Sequence, residues 1–289
     1  MIGPLLAAVR PWQWVKNLFV LAAPLFGRKL LEVESAQRAL GAVGTFCLVS
    51  GGVYLLNDLI DVEKDREHPR KKDRPIASGR LSPKVALVAS ILLLVAGVTA
   101  GYLLASMLGH LLVLYVLIQI GYSTVLRRVV LIDVFCIASG FVIRVLGGAA
   151  VLDLFLSSWL ILTTIFLSLF LAFCKRRAEV VLLEGRGGKH RATLREYEPA
   201  FLDQLISVTT ASVVLCYSLY TLDARTVLEF HTRDLVYTVP FVIFGIFRYL
   251  FLVHRKDGGG SPVRSLMGDA PMLVNAVLWA ATTFWVVYR

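Results

Sequence analysis

Tyr54-Leu-Leu-Asn57-Asp58-Leu-Ile-Asp61-Val-Glu63-Lys64-Asp65-Arg66-Glu67-His68-Pro69, running on to Arg74-Pro75, closes an apolar run that begins near Leu40. Asp58, Asp61 and Asp65 lie three and then four residues apart, a spacing that stacks them on one face of a helix with Tyr54 one turn earlier. Three carboxylates on one face repel one another unless a cation sits between them. Hard divalent ions such as Mg2+ accept oxygen ligands of this kind, keep several waters and are shared with substrate phosphates. The face therefore reads as half of a site whose other half is a phosphorylated ligand. Lys64, Arg66, Arg70, Lys71, Lys72, Arg74 and Arg80 follow at once, a supply of phosphate partners. A solvated helix end with a positive loop behind it would use the same residue types. Three acids on one face at the mouth of a membrane helix favour function over that reading, because ionisable groups there are costly and retained for use.

Outward from this stretch, composition sets the class. The chain has 289 residues, of which 57% are hydrophobic, and its mean hydropathy is +0.72. Several runs approach the roughly 20 residues that cross a bilayer, which makes this an integral membrane protein. A net charge of +10 invites a nucleic-acid reading. The basic residues, however, sit in short loops between apolar runs, which the positive-inside rule explains without any nucleic acid. Cys47, Cys136, Cys174 and Cys216 are scattered through apolar segments and form neither a disulfide framework nor a zinc spacing. Met1 to Lys16 has no long apolar core followed by a small-residue cleavage site, so no cleaved leader is expected.

Hydropathy predicts an all-α bundle of nine transmembrane helices in one domain, residues 1–289. Arg10-Pro11-Trp12-Gln13-Trp14 reads as an interfacial entry to a first helix ending near Leu31. The second runs from about Leu40 into the aspartates. The others cover about Val85 to Leu104, His110 to Leu126, Val129 to Val151, Leu156 to Cys174, Leu202 to Leu222, Leu235 to Val253 and Pro271 to Val287. Two polar loops, 65–83 and 175–199, are expected to cap a polar cavity. With both on one side, that side holds 22 of the 30 Lys and Arg residues, and the opposite connections hold only Arg28, Lys29, Arg38, Arg225 and Arg233. This bias predicts a cytoplasmic-membrane protein with N-terminus and cavity in the cytoplasm and C-terminus outside. Gly185-Arg-Gly-Gly-Lys189 lacks the strand context of a nucleotide loop and is expected to be a bend.

Three helix ends on the predicted cytoplasmic side carry chemistry. The aspartate face is one, Tyr122-Ser-Thr-Val-Leu126-Arg127-Arg128 is another, and Lys175-Arg176-Arg177 with Glu179 and Glu184 is the third. Lys16 and Asn17 lie at the same depth. Carboxylates opposite cations suit a magnesium-bound diphosphate leaving group. Asp133 is expected to pair locally with Arg127 or Arg128, and the intramembrane Arg144 with an acid or a lipid phosphate that the sequence does not name, in a structural or a substrate role alike. His68 reads equally as a phosphate contact or a loop residue. No Ser-His-Asp or Cys-His set is apparent, so the expected chemistry needs no protein nucleophile.

The string N-D-x-x-D-x-x-x-D at Asn57 to Asp65, with Arg74-Pro75-Ile76-Ala77-Ser78-Gly79 after it, resembles the first aspartate-rich motif of the UbiA superfamily of intramembrane prenyltransferases. Tyr122-Ser-x-x-Leu126-Arg127 is similar to that superfamily too, with Arg127 where Lys is usual. Most members carry a D-x-x-x-D pair after their sixth helix. Here the chain reads Cys174-Lys-Arg-Arg-Ala-Glu179, which resembles one branch, the decaprenyl-phosphate phosphoribosyltransferases. The likeness runs almost end to end, from Arg10-Pro-x-Gln13-Trp14-x-Lys16-Asn17 to Arg248-Tyr249, and Arg66-Glu67-His68-Pro69 and Lys175-Arg176-x-Ala178-Glu179 carry it most sharply.

The resemblance implies Mg2+-dependent transfer of 5-phosphoribosyl from phosphoribosyl diphosphate to a polyprenyl phosphate in the membrane, with release of diphosphate. The product would feed an arabinan-type cell-wall polysaccharide. It implies Asp58, Asp61 and Asp65 as metal and diphosphate ligands. Arg74, Lys175, Arg176 and Arg177 would hold donor phosphates, Glu179 a ribose hydroxyl, and Lys16, Asn17 and Arg127 phosphates of either substrate. Tyr54, Asn57, Arg66, Lys72 and Tyr122 complete the expected substrate contacts. A prenyl transfer from a prenyl diphosphate to an aromatic or lipid acceptor is the alternative, and the missing second aspartate pair counts against it. A cation transporter is a third reading, but its acids would lie deep in several helices. A homo-oligomer is compatible with all of this.

Overall fold

The computed structural model describes residues 2–68, 71–184, 196–255 and 268–289, and among them every regular element is helical. Eight helices are long and apolar enough to cross a membrane, so the protein is multi-pass. Contacts divide the chain into two compact units, residues 1–126 with 143–154, and residues 127–142 with 155–289.

The first unit opens with α1 (Ile2–Val9), an eleven-residue 3-10 helix (Pro11–Leu21) and α2 (Ala22–Phe26). The sequence predicts one ordinary spanning helix here, and this is the main departure from the expected nine. The burial pattern explains it. Trp12, Val15 and Leu18 are exposed, whereas Asn17 and Val20 are fully buried. That is a period of three, which only a 3-10 helix presents as one stripe. Gly148 makes the approach close: a Cβ there would meet the Val20 carbonyl oxygen at 1.8 Å.

The centre of this unit is α3 (Val33–Ile60), which starts earlier than its apolar run because Val33 to Ala39 continue the helix outward from an extended Glu32. It packs chiefly on α5 (Pro83–Leu104), where the Ser90 hydroxyl donates to the Gly52 carbonyl at 2.8 Å. Between them lies α4 (Val62–Glu67). One extended residue, Ala105, separates α5 from α6 (Ser106–Thr124). Val20, Phe46, Val49, Val53, Leu108, Leu112 and Tyr115 form the core.

The helix α7 (Ile132–Ala150) gives its residues up to Val142 to the second unit and the rest to the first. In the second unit α8 (Ser158–Glu184) lies along α9 (Pro199–Leu222), around Phe170, Phe173, Leu202, Ile206, Val213 and Tyr249. A short α10 (Ala224–Phe230), unexpected from sequence, precedes a 3-10 turn (Asp234–Thr238), α11 (Val239–Arg255) and α12 (Ala270–Tyr288). Pro83, Pro199 and Pro271 each open a helix, where the missing N–H is harmless. The Asp269 carboxylate caps α12 by accepting from Met272 N at 3.1 Å. The polar loop expected from Lys175 is partly helix, because α8 runs on to Glu184. Likewise Asp65 to Glu67 belong to α4 rather than to a loop. Residues 69–70 and 185–195, which hold Arg70 and the Gly185–Lys189 bend, lie outside the described residues.

Candidate active site

The aspartates do not ride one continuous helix face. α3 ends at Ile60, and Asp61 takes φ −96°, ψ 7° at the joint with α4. The joint stays tightly bonded: Asp61 N donates to the Asn57 carbonyl at 3.0 Å, and Asp65 N to the Asp61 carbonyl at 2.8 Å. It still brings Asp58 and Asp65 together, each only 2–3% exposed. Arg74 bridges them, its Nη1 donating to Asp58 Oδ1 at 3.0 Å and to Asp65 Oδ2 at 2.6 Å. A run of turns from Lys71 to Leu81 delivers Arg74. Within it Arg74 N donates to the Lys71 carbonyl, Ser78 N to the Arg74 carbonyl, and Leu81 N to the Pro75 carbonyl. Arg66 pins this run by donating to the Ala77 carbonyl at 3.3 Å, and Arg80 by donating to Ser78 Oγ and the Asp73 carbonyl. Lys72 is exposed on it, and His68 accepts from Lys71 N through Nδ1.

Arg10 is a site residue that the sequence reading missed. Its Nη2 donates to Asp58 Oδ1 at 2.5 Å, and its guanidinium lies 5.2 Å from the centre of the Tyr54 ring. A separation of 48 residues leaves no local signal for that pairing. The two guanidiniums and two carboxylates balance in charge. Asp58 Oδ2 nonetheless remains buried without a hydrogen-bond partner among the described residues, as does Trp14 Nε1. A carboxylate oxygen left so is uncommon and costly. Asn57 Oδ1 accepts from the buried Ser123 hydroxyl, a tie from α3 to α6 that also went unpredicted.

The remaining expected residues divide between the units. Lys16 Nζ donates to Gln13 Oε1 at 2.9 Å. Asn17 is fully buried and bonds inward: its Oδ1 accepts from Arg144 Nε at 2.8 Å, and its Nδ2 donates to Cys47 Sγ and Ser50 Oγ. Arg144 also donates to Tyr115 Oη at 3.1 Å and lies against the Phe46 and Tyr115 rings. Where the sequence suggests an acid or a lipid phosphate, the partners of Arg144 thus include an amide, a phenol and two rings. Tyr122, near the end of α6, and Arg127, in the 3-10 turn Leu126–Arg128, are both partly buried.

In the second unit the basic end of α8 is heavily paired. Arg176, 1% exposed, donates from Nε to Asp133 Oδ2 at 2.6 Å and from Nη1 to Glu179 Oε2 at 2.5 Å. Asp133, expected to pair locally, receives Tyr197 Oη on its other oxygen at 2.8 Å, while Leu131 N donates to that phenol oxygen at 2.7 Å. Burial and the neighbouring Asp133 push the Tyr197 hydroxyl well above its ordinary pKa, although the Leu131 N–H opposes this, so it remains a donor at neutral pH. Arg177 grips Asp203 with Nε at 2.5 Å and Nη2 at 3.3 Å. Lys175 is the exposed member, with Nζ 3.8 Å from Glu179 Oε1.

No group of three His, Cys, Asp or Glu side chains among the described residues comes together closely enough to hold a metal ion alone. The donor set fits a different arrangement, a hard cation held by one or two carboxylates and completed by a ligand's phosphates. The unpartnered, buried Asp58 Oδ2 is the oxygen that such an ion would use.

A profile of the UbiA prenyltransferase family matches residues 18–267. The sequence is 34% identical to the decaprenyl-phosphate phosphoribosyltransferase of Mycolicibacterium smegmatis, over 100% of this chain and 93% of the relative. It is 35% identical to the enzyme of the same name from Corynebacterium glutamicum, over 98% of this chain and 86% of the relative. A UbiA homolog from Archaeoglobus fulgidus, solved with DMAPP and Mg2+, has the same fold, with a TM-score of 0.74 over 98% of each chain at 18% identity.

Proposed function

The chain belongs to the UbiA prenyltransferase family, and on that premise we propose that it transfers a 5-phosphoribosyl group from phosphoribosyl diphosphate to a polyprenyl phosphate, releasing diphosphate. One observation carries the choice of donor. Where a prenyl-diphosphate site of the usual kind has a second acidic pair, α8 offers Lys175, Arg176 and Arg177, and Glu179 is bound to Arg176. End-to-end similarity to decaprenyl-phosphate phosphoribosyltransferases supports the same choice.

In this reading Asp58 and Asp65, with Asp61 at the joint between them, hold Mg2+ and the donor diphosphate. The ion, when bound, stabilises negative charge on the departing oxygens. Arg74, which donates to both carboxylates, would also take a phosphate oxygen. An oxygen of the acceptor phosphate forms the new bond to the anomeric carbon. The bond from that carbon to diphosphate breaks, and its electron pair leaves on diphosphate. The acceptor monoester, with a second pKa of about 6, is largely dianionic near neutral pH and needs no general base. Lys175 and Arg177 are assigned to donor phosphates and Glu179 to a ribose hydroxyl. Arg176 acts through Glu179 as a positioning residue. The membrane is the cytoplasmic one, with the aspartates on its cytoplasmic side.

A prenyl transfer is the second reading, favoured by the family profile itself. Purified protein given Mg2+, polyprenyl phosphate and either labelled phosphoribosyl diphosphate or a labelled prenyl diphosphate separates the two. Label entering lipid from the phosphoribosyl donor alone supports the proposal. Label entering a product from the prenyl donor alone transfers the assignment to the second reading.

A further inference from the structure

Arg10 belongs to none of the roles assigned above, yet its guanidinium donates to Asp58 at the centre of the site. Two features set it apart from Arg74. Arg74 is tied to two carboxylates and sits within a bonded run of turns, whereas Arg10 is tied to one carboxylate and one ring face. Arg10 also occupies the left-handed region, φ 59° and ψ 61°, at the joint between α1 and the 3-10 helix. That conformation is uncommon for a residue with a Cβ. In addition, Arg10 and Arg74 crowd the same oxygen, Oδ1 of Asp58, and Oδ2 has no hydrogen-bond partner among the described residues.

A divalent ion arriving at Asp58 meets two guanidiniums on the carboxylate it needs. Cations that close repel strongly in a partly dry site. The less tethered one leaves, and it leaves beside the diphosphate that accompanies the ion. We propose that Arg10 is a diphosphate-binding residue parked on Asp58 in the metal-free protein, surrendering the carboxylate to the metal and taking up a phosphate oxygen in exchange. The Tyr54 ring gives the guanidinium a face to slide along during that exchange. The inference rests on the metal and diphosphate roles proposed above, but not on which group the diphosphate carries.

The exchange predicts opposite signs for two binding steps. Arg10→Ala and Arg10→Lys are purified, and folding is checked by thermal unfolding. Mn2+ binding is then read by electron paramagnetic resonance, without donor, and inorganic diphosphate binding is read in the presence of Mn2+. Arg10→Ala is expected to tighten Mn2+ alone several-fold, since a competing cation is gone. It is expected to weaken diphosphate by roughly tenfold or more, the usual scale of a lost charge-assisted hydrogen bond. Arg10→Lys retains the charge and recovers part of the diphosphate affinity. A variant that weakens both steps, or leaves diphosphate binding unchanged, overturns the proposal, because a merely structural Arg10 would lower both. Neither readout uses phosphoribosyl diphosphate, so failure of the donor assignment would appear separately, in the labelled-lipid assay.

Discussion

Asp58 stands at the end of an apolar helix, and a buried carboxylate there is tolerable only with cations at hand. It has two, and one oxygen to spare. Asp58→Asn keeps the size and removes the charge. Turnover should fall at least about a hundredfold, the scale of losing a principal electrostatic group, while the protein still purifies and unfolds cooperatively; near-normal turnover would remove the metal role. Tyr197 serves as both donor and acceptor between Asp133 and Leu131. Tyr197→Phe leaves both without that partner, so thermal unfolding should show a loss of about 1–3 kcal/mol. The aspartate spacing and the basic residues behind it were legible because helical periodicity links near neighbours. Arg10 with Asp58, Asn17 with Arg144 and Arg176 with Asp133 were not, because those partners lie 43 to 127 residues apart and meet only through tertiary packing.

Most element boundaries were legible from hydropathy alone, and the misreadings have physical causes. The segment Pro11–Leu21 is apolar enough to pass for an α-helix, and its period of three emerges only against Gly148. Gly148→Ala should therefore push the 3-10 helix off α7 and displace Asn17 with it. Its midpoint of thermal unfolding should fall by several degrees or more, as overpacking by even one methyl costs about 1–3 kcal/mol. Gly44→Ala, with open space around its Cβ, should leave the midpoint unchanged; equal shifts in the two variants would contradict the close approach. The basic run after Cys174 looked like a loop but extends α8, since Lys175 and Arg176 find Glu179 four and three residues on, which supports a helix. The break at Asp61 carries no such signal, as no proline or glycine marks it.

Over the whole molecule the distribution of charge says more than any one span. The nine-span reading of the sequence puts 22 of 30 Lys and Arg residues on the side of the aspartates, and on that reading we propose that this side faces the cytoplasm. A phosphatase reporter fused after Arg289 should be active outside the cell and one fused before Met1 inactive; the reverse pattern would overturn the orientation. The central claim is that a carboxylate cluster bridged by arginine serves phosphoribosyl transfer to a lipid phosphate. Its most direct test is the mass of the lipid formed by wild type and by Asp58→Asn from phosphoribosyl diphosphate, Mg2+ and polyprenyl phosphate. Wild type should yield a lipid heavier by one phosphoribosyl group with one diphosphate released per lipid, and Asp58→Asn almost none; an unchanged lipid with wild type, or equal product from both, would contradict it.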